Sequence, residues 1–321
     1  MYSLYTRLSA GVVVVFIAYL FGGYSDRHNI FPFPALWAVK ALIIPPPPNP
    51  PSRFAFDQAG RLASDDQKSA VPCPQQTDRT AVLLLIGQSN AGNHGGQRFH
   101  SEHGEKVVNF FGGQCFVAVS PLLGSDGTNG EYWTQLGNLL VDSGAFDQVV
   151  LAPVTLSGSE ISRWARGGDL NAVMINTAVQ LQQYYHVTHT LWHQGEIDYV
   201  IGTSETSYYQ KFISIVDSLR DQQITSPVFV SVASKCLEAS NGGTRFHSAN
   251  NAIVRAQLAL PNTQKGIRSG VNTDALVDEL DRYDDCHFSS SGAQKVAKAW
   301  ADLLLRDRYA DGQFIYDVLR H

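Results

Sequence analysis

Five short and nearly unbroken apolar runs, each followed by a longer amphipathic stretch, constrain this chain most. They occupy residues 80–86, 106–111, 148–155, 188–193 and 227–234. A strand that is apolar on both faces has to be covered on both faces, the situation of a central strand in a parallel sheet. Between and after the runs, residues 171–185, 204–222, 247–260 and 291–306 repeat their apolar residues at helical spacing. The second of these, for example, sets Tyr208, Phe212, Ile215, Val216 and Leu219 on one side. Strands alternating with helices of this length predict an α/β protein. The expected architecture is a three-layer α/β/α sandwich around a central, mostly parallel five-stranded sheet. One domain is expected over residues 75–310, with a short tail at 311–321.

The N-terminal residues have a different character. After Arg7, residues 8–24 carry no charge and are apolar on every face, which suits a membrane anchor or a secretory segment better than a core helix. Arg7 ahead of the stretch favours export of the remainder. No convincing cleavage site follows, so an uncleaved anchor within residues 1–30 is favoured over a removed signal peptide. Residues 31–74 read as an apolar and proline-rich spacer, with Pro45-Pro46-Pro47-Pro48-Asn49-Pro50-Pro51 as its stiff part. The expected location is extracytoplasmic, with the membrane as a partner through residues 8–24. Of the 321 residues 17% are charged and the net charge is −5, without long Lys or Arg runs. An electrostatic grip on nucleic acid is therefore not expected.

Three short blocks carry chemistry. Gly87-Gln88-Ser89-Asn90 follows the 80–86 strand directly, and functional groups collect at the carboxyl ends of parallel strands. A serine there is a weak nucleophile until a base takes its proton; alone, it is more often a helix cap. Asp284-Asp285-Cys286-His287 precedes the last helical segment. A histidine base needs a carboxylate on its far nitrogen to fix its tautomer, and Asp284 sits three residues before His287. Asp281 and Asp285 are competing carboxylates that spacing does not exclude. The third block, Trp192-His193-Gln194-Gly195-Glu196, ends the 188–193 strand and brings amide donors of the kind that stabilise an oxyanion.

Together these blocks resemble the SGNH/GDSL hydrolase superfamily, and within it the sialate O-acetylesterase-like branch that includes carbohydrate esterase family six. Gly-Gln-Ser-Asn, His-Gln-Gly-Glu and Asp-x-x-His stand here in that order, and the resemblance covers residues 80–306. The wider superfamily has Gly-Asp-Ser, and Asn where this chain has Gln194, so the departures themselves point to the acetylesterase branch. The resemblance implies a flavodoxin-like fold, Ser89 as nucleophile, His287 as base and Asp284 as its partner. It also implies an oxyanion hole of the Ser89 N–H, the Gly158 N–H and the Gln194 side chain. Gly158 comes from a further block, Ser157-Gly158-Ser159-Glu160. Asn90, His193 and Glu196 are expected to brace the site from behind. Trp164 is either a pocket wall or a core residue.

The implied activity is removal of O-acetyl groups from a carbohydrate through an acyl-enzyme, with no cofactor and no metal. Two alternatives stay open: a polysaccharide O-acetyltransferase using the same triad, and a carbohydrate-binding module without catalysis. An α/β-hydrolase elbow is disfavoured, because Ala91 stands where Gly-x-Ser-x-Gly needs glycine. His94, His100 and His103 read as loop histidines in preference to a metal site. Four cysteines, Cys73, Cys115, Cys236 and Cys286, allow two disulfides or none. A Cys236–Cys286 bridge would pin the His287 loop to the sheet.

Overall fold

The computed structural model describes residues 53–236 and 249–310, the backbone of 239–240 and 243–244, and Phe21, Gly22, Ser25 and Ala35. The chain divides into two compact units, Met1–Ser52 and Arg53–His321. Apart from Phe21 and Gly22, the apolar segment 8–24 lies outside the described residues, as do the polyproline stretch and the tail 311–321. Among the described residues no helix is long and apolar enough to cross a membrane.

The second unit begins with three short strands, β1 (Phe54–Phe56), β2 (Leu62–Asp65) and β3 (Ala70–Val71). Then come β4 (Thr80–Gly87), β5 (Val107–Phe111), β6 (Gln114–Val117), β7 (Gln148–Thr155), β8 (His189–His193) and β9 (Val228–Val232). A small pair, β10 (Ala239–Ser240) and β11 (Gly243–Thr244), precedes β12 (Ile267–Asn272). The main sheet has eight strands in the order β12-β9-β8-β4-β7-β5-β6-β3. From β12 to β5 neighbouring strands run parallel, and β6 and β3 are antiparallel. The chain builds one side of β4 through β5 and β7, then crosses to the other through β8, β9 and β12. That reversal beside β4 is where ligand sites form in such sheets, at the carboxyl ends of the strands.

The sheet is thus larger than the five strands expected. The five runs are β4, β5, β7, β8 and β9, and the additions lie at the edges. β12 carries Arg268, Ser269 and Gly270 and pairs only with β9, so it needs no continuous apolar run. β6 returns from β5 through Gly112 and Gly113, at φ 61° and 77°, the conformation of a two-residue hairpin turn. β3 falls at residues assigned to the spacer; the folded unit starts at Arg53, well before residue 75.

Eight helices are described: α1 (Trp133–Asp142), α2 (Ile161–Trp164), α3 (Asp169–Gln182), α4 (Glu196–Ile201), α5 (Glu205–Asp221), α6 (Ala252–Ala259), α7 (Thr273–Leu276) and α8 (Ser290–Ala310). Alternate residues of β4 face opposite layers. Ala81, Leu83 and Leu85 pack with Trp133 and Leu136 of α1 and with Val296 and Trp300 of α8. Leu84 and Ile86 pack with Trp164, Met174, Tyr208, Phe212 and Ile253 on the other face. All eight β4 residues are buried, and each such leucine or isoleucine contributes about 1.5–3 kcal/mol. α1 has no counterpart in the sequence-based expectation. Its Gly137, a poor helix residue, lets the helix lie on β5, since a Cβ there would stand 2.4 Å from Val107 Cγ1.

Candidate active site

β4 ends against β8 so closely that Gly87 has no room for a side chain: a Cβ would lie 2.0 Å from the His193 carbonyl oxygen. The Gln88 N–H donates to that same oxygen at 3.2 Å. The chain then turns into one 3₁₀ turn, Ser89–Ala91, with Ser89 only 3% exposed. The first N–H groups of such a turn have no acceptor within it, so the Ser89 N–H is a ready donor beside the Ser89 hydroxyl.

His287 comes from the loop before α8. Asp284 accepts the N–H groups of Cys286 at 3.2 Å and His287 at 2.6 Å on Oδ1, while Oδ2 faces His287 Nδ1 at 2.7 Å. An acidic side chain that bonds backbone two and three residues on makes a self-contained turn. Burial pushes the Asp284 carboxyl up, but the His287 side chain and N–H pull it further down, and it ends below the usual carboxylate range. It therefore stays ionised and leaves the proton on Nδ1, which frees the Nε2 lone pair. His287 Nε2 is shielded from solvent and makes no hydrogen bond in this structure.

Asn90 connects the two parts. Its amide donates to the Cys286 carbonyl at 3.2 Å, and its oxygen accepts the Phe288 N–H at 3.3 Å. The residue after Ser89 thus grips both neighbours of His287. Ser89 and His287 are not hydrogen-bonded to each other, as is common before substrate draws such groups together. The His287 loop is further held by Arg282, which donates to the Cys286 carbonyl, and by the Cys236–Cys286 disulfide. The second disulfide, Cys73–Cys115, fastens the antiparallel edge. Of the competing carboxylates, Asp281 is taken up by Lys295 and Ser291, and Asp285 sits at φ 61° in the turn.

His193 and Glu196 stand behind Asn90 as a buried chain. The Tyr132 hydroxyl lies 2.7 Å from His193 Nδ1, His193 Nε2 is 3.5 Å from Glu196 Oε1, and that oxygen accepts the Asn90 amide at 2.8 Å. Burial raises the Glu196 carboxyl, yet His193 and Asn90 together hold it below its ordinary range. Tyr132 belongs to this chain and carried no sequence signal.

Gln194 departs from expectation. It is fully buried, and its side-chain N–H groups face Asp198 Oδ2 at 2.5 Å, the Ser159 carbonyl at 3.1 Å and Gln88 Oε1 at 3.3 Å. Its oxygen accepts the Tyr208 hydroxyl at 2.9 Å. Both amide hydrogens are committed inside the protein, so the side chain offers no free donor to an oxyanion. Gly158 follows β7 at φ 62°, exposed, and a Cβ there would meet nothing within 4 Å. Glycine serves backbone conformation at that position, not space. Trp164 is a core residue: fully buried, it donates to Ser159 Oγ at 2.8 Å and so anchors the loop from beneath. His103 pairs with Asp142 at 2.9 Å, and His94 with Asp126 at 3.0 Å.

Residues 79–306 match the model of a family described as carbohydrate esterase, sialic acid-specific acetylesterase. That match spans more than half of the chain. The chain belongs to this family. As a member of the carbohydrate esterase family it is a carboxylic ester hydrolase, and the reaction class is hydrolysis of O-acetyl esters. Among solved structures, a protein from Arabidopsis thaliana shares the fold at a TM-score of 0.53 and 19% identity, over 71% of this chain and 98% of that one. NanS is similar at a TM-score of 0.47 and 15% identity, over 73% and 98% of the two chains. No curated protein matches the sequence. The carbohydrate esterase match begins at the residue before β4 and ends within α8, so it includes every residue of the candidate site.

Proposed function

We propose that Ser89, His287 and Asp284 hydrolyse an O-acetyl ester of a carbohydrate through an acetyl-enzyme. His287 Nε2 takes the Ser89 hydroxyl proton as Oγ attacks the acetyl carbonyl carbon. The tetrahedral oxyanion is stabilised by the N–H groups of Ser89 and Gly158. The bond to the sugar oxygen breaks, and His287 returns the proton to that oxygen. Water, deprotonated by His287, then attacks the acetyl-Ser89 carbonyl and releases acetate. The observation that carries this reading is the Asp284–His287 pair, with Nε2 free and its loop gripped by Asn90 beside Ser89.

The reaction is proposed to occur outside the cytoplasm. Two disulfides in one unit support an oxidising compartment, and residues 8–24 are proposed to tether the chain there.

The test is acetate release by the full chain from p-nitrophenyl acetate and from acetylated polysaccharides. Ser89→Ala is expected to lower kcat by about 10³-fold or more with an unchanged circular dichroism spectrum. A folded wild type that releases acetate from no ester would overturn the reading. Acetyl transfer to a sugar in excess of acetate release would replace hydrolysis by transfer.

A further inference from the structure

Beside the proposed triad stands a second histidine–carboxylate pair that the reaction as written does not use. His94 lies five residues after Ser89, on the loop leaving the nucleophile turn. Its ring is near-parallel to that of His287, with centroids 5.5 Å apart and planes inclined by 24°. Its Nε2 lies 3.0 Å from Asp126 Oδ2. The same Asp126 oxygen accepts the Ser157 N–H at 2.7 Å, one residue before Gly158.

The backbone holds this pair from both sides. The Tyr283 hydroxyl donates to the His94 carbonyl at 2.8 Å, and Gly96 N–H donates to the Phe288 carbonyl at 2.8 Å. On the other side Gly95 and Gly130 exchange bonds at 2.7 and 3.0 Å, and Asn93 N–H donates to the Asp126 carbonyl at 2.9 Å. One oxygen of Asp126 thus joins the ring against His287 to the peptide that leads into Gly158.

We propose that His94 and Asp126 are positioning residues that keep the His287 ring and the Gly158 loop in fixed relation to each other. The inference rests on the proposed roles of His287 and Gly158. A base and an oxyanion donor act on the same tetrahedral centre, so an error of about 1 Å in their relative placement can cost about 10²-fold in rate. Neither His94 nor Asp126 touches the reacting atoms in this scheme; both act through the groups they hold.

The experiment compares kcat and KM of the full-length wild type, His94→Ala, His94→Phe, Asp126→Asn and the His94→Ala/Asp126→Asn double variant on p-nitrophenyl acetate, with Ser89→Ala alongside. His94→Ala is expected to lower kcat about 10–100-fold with KM changed less than about 3-fold. His94→Phe, which keeps a ring against His287, should recover part of that loss. The double variant should lose little more than the worse single one, the non-additivity of groups acting as a unit. If His94→Ala does not fold, His94→Phe and Asp126→Asn carry the comparison. Wild-type kcat in folded His94 and Asp126 variants, or losses that add in full, would overturn the inference while Ser89→Ala still reports on the esterase. An inert wild type would instead remove the proposed function, and this inference with it.

Discussion

Asn90 and Gln194 carry the same amide group, and their surroundings decide what each can do. Asn90 spends its amide on Cys286 and Phe288, the two neighbours of His287, and on Glu196 behind it. Gln194 is bound to Asp198, Ser159, Gln88 and Tyr208, so it ties β8 to the loop after β7. Burial pushes the Asp198 carboxyl above its ordinary value, and the hydrogen bonds from Thr203, Gln194 and Ile161 offset only part of that. Truncating the Gln194 side chain would take away one of those donors, while the Tyr208 hydroxyl keeps the Gln194 backbone carbonyl. Gln194→Ala is therefore expected to cost about 1–3 kcal/mol in urea unfolding. The folded fraction should keep kcat within about 10-fold, whereas loss of an oxyanion donor costs about 10²–10³-fold. A large kcat loss at unchanged stability would restore the sequence-based role. The residue types of the site were legible from three short blocks. The direction a buried amide points was not, because it depends on Asp198 of α4, Tyr208 of α5 and the Ser159 carbonyl, three separate stretches of chain.

The His287 loop is an element with little regular structure of its own, and it is held by cross-links more than by a core. Asp285 at φ 61° shows how tightly it turns, a conformation that Asp tolerates better than most residues. The Cys236–Cys286 bridge closes a sequence separation of 50 residues, for which chain-entropy arguments give about 4 kcal/mol. Cys236→Ser together with Cys286→Ser should lower stability by that order. It should also reduce kcat more than KM, because the freed loop carries His287, the proposed base. Unaltered kcat in the double variant at a temperature where it remains folded would show that Asn90 and Arg282 suffice. Other elements were legible to different degrees. The five central strands announced themselves because burial on two faces demands continuous apolar residues. β12 and β3, held by one neighbour each, made no such demand. α1 was hidden by Gly137, whose packing against Val107 is a tertiary fact, and β6 by a glycine pair whose meaning lies in its positive φ.

Across the whole unit Arg53–His321, the acids decide how stability responds to pH. The carboxyls of Asp65, Glu196, Asp281 and Asp284 each end below their ordinary values. In every case burial pushes up most strongly, and hydrogen bonds and nearby charges together, led by Arg53, His193, Lys295 and His287 respectively, more than reverse it. Asp147 and Asp169 are lowered too, mainly by hydrogen bonds from Arg79 and Arg163. A group whose pKa is lower in the folded chain takes up its proton later than in the unfolded chain, so falling pH favours unfolding. The stabilisation is complete above the unfolded values of about 3.9–4.3 and is lost as pH drops through the lower folded values. Asp198, raised by burial, acts in the opposite sense: its cost to the fold is relieved as it protonates. Among the described residues, the six lowered carboxyls named above outweigh Asp198 and leave the sum on the side of acid sensitivity. Exposure weakens Asp147 and Asp169 most, since exposed pairs contribute little, and concentrates the effect on the buried Asp65, Glu196 and Asp281. The urea midpoint should accordingly stay nearly level from pH 7 to about 5 and fall steeply below about 4. Glu196→Gln should flatten part of that fall, since its titration is removed while its contact with Asn90 can be kept. A midpoint that rose between pH 5 and 3 would mean that the relief at Asp198 outweighs the paired carboxyls, and that the buried chain from Tyr132 to Asn90 tolerates a protonated Glu196.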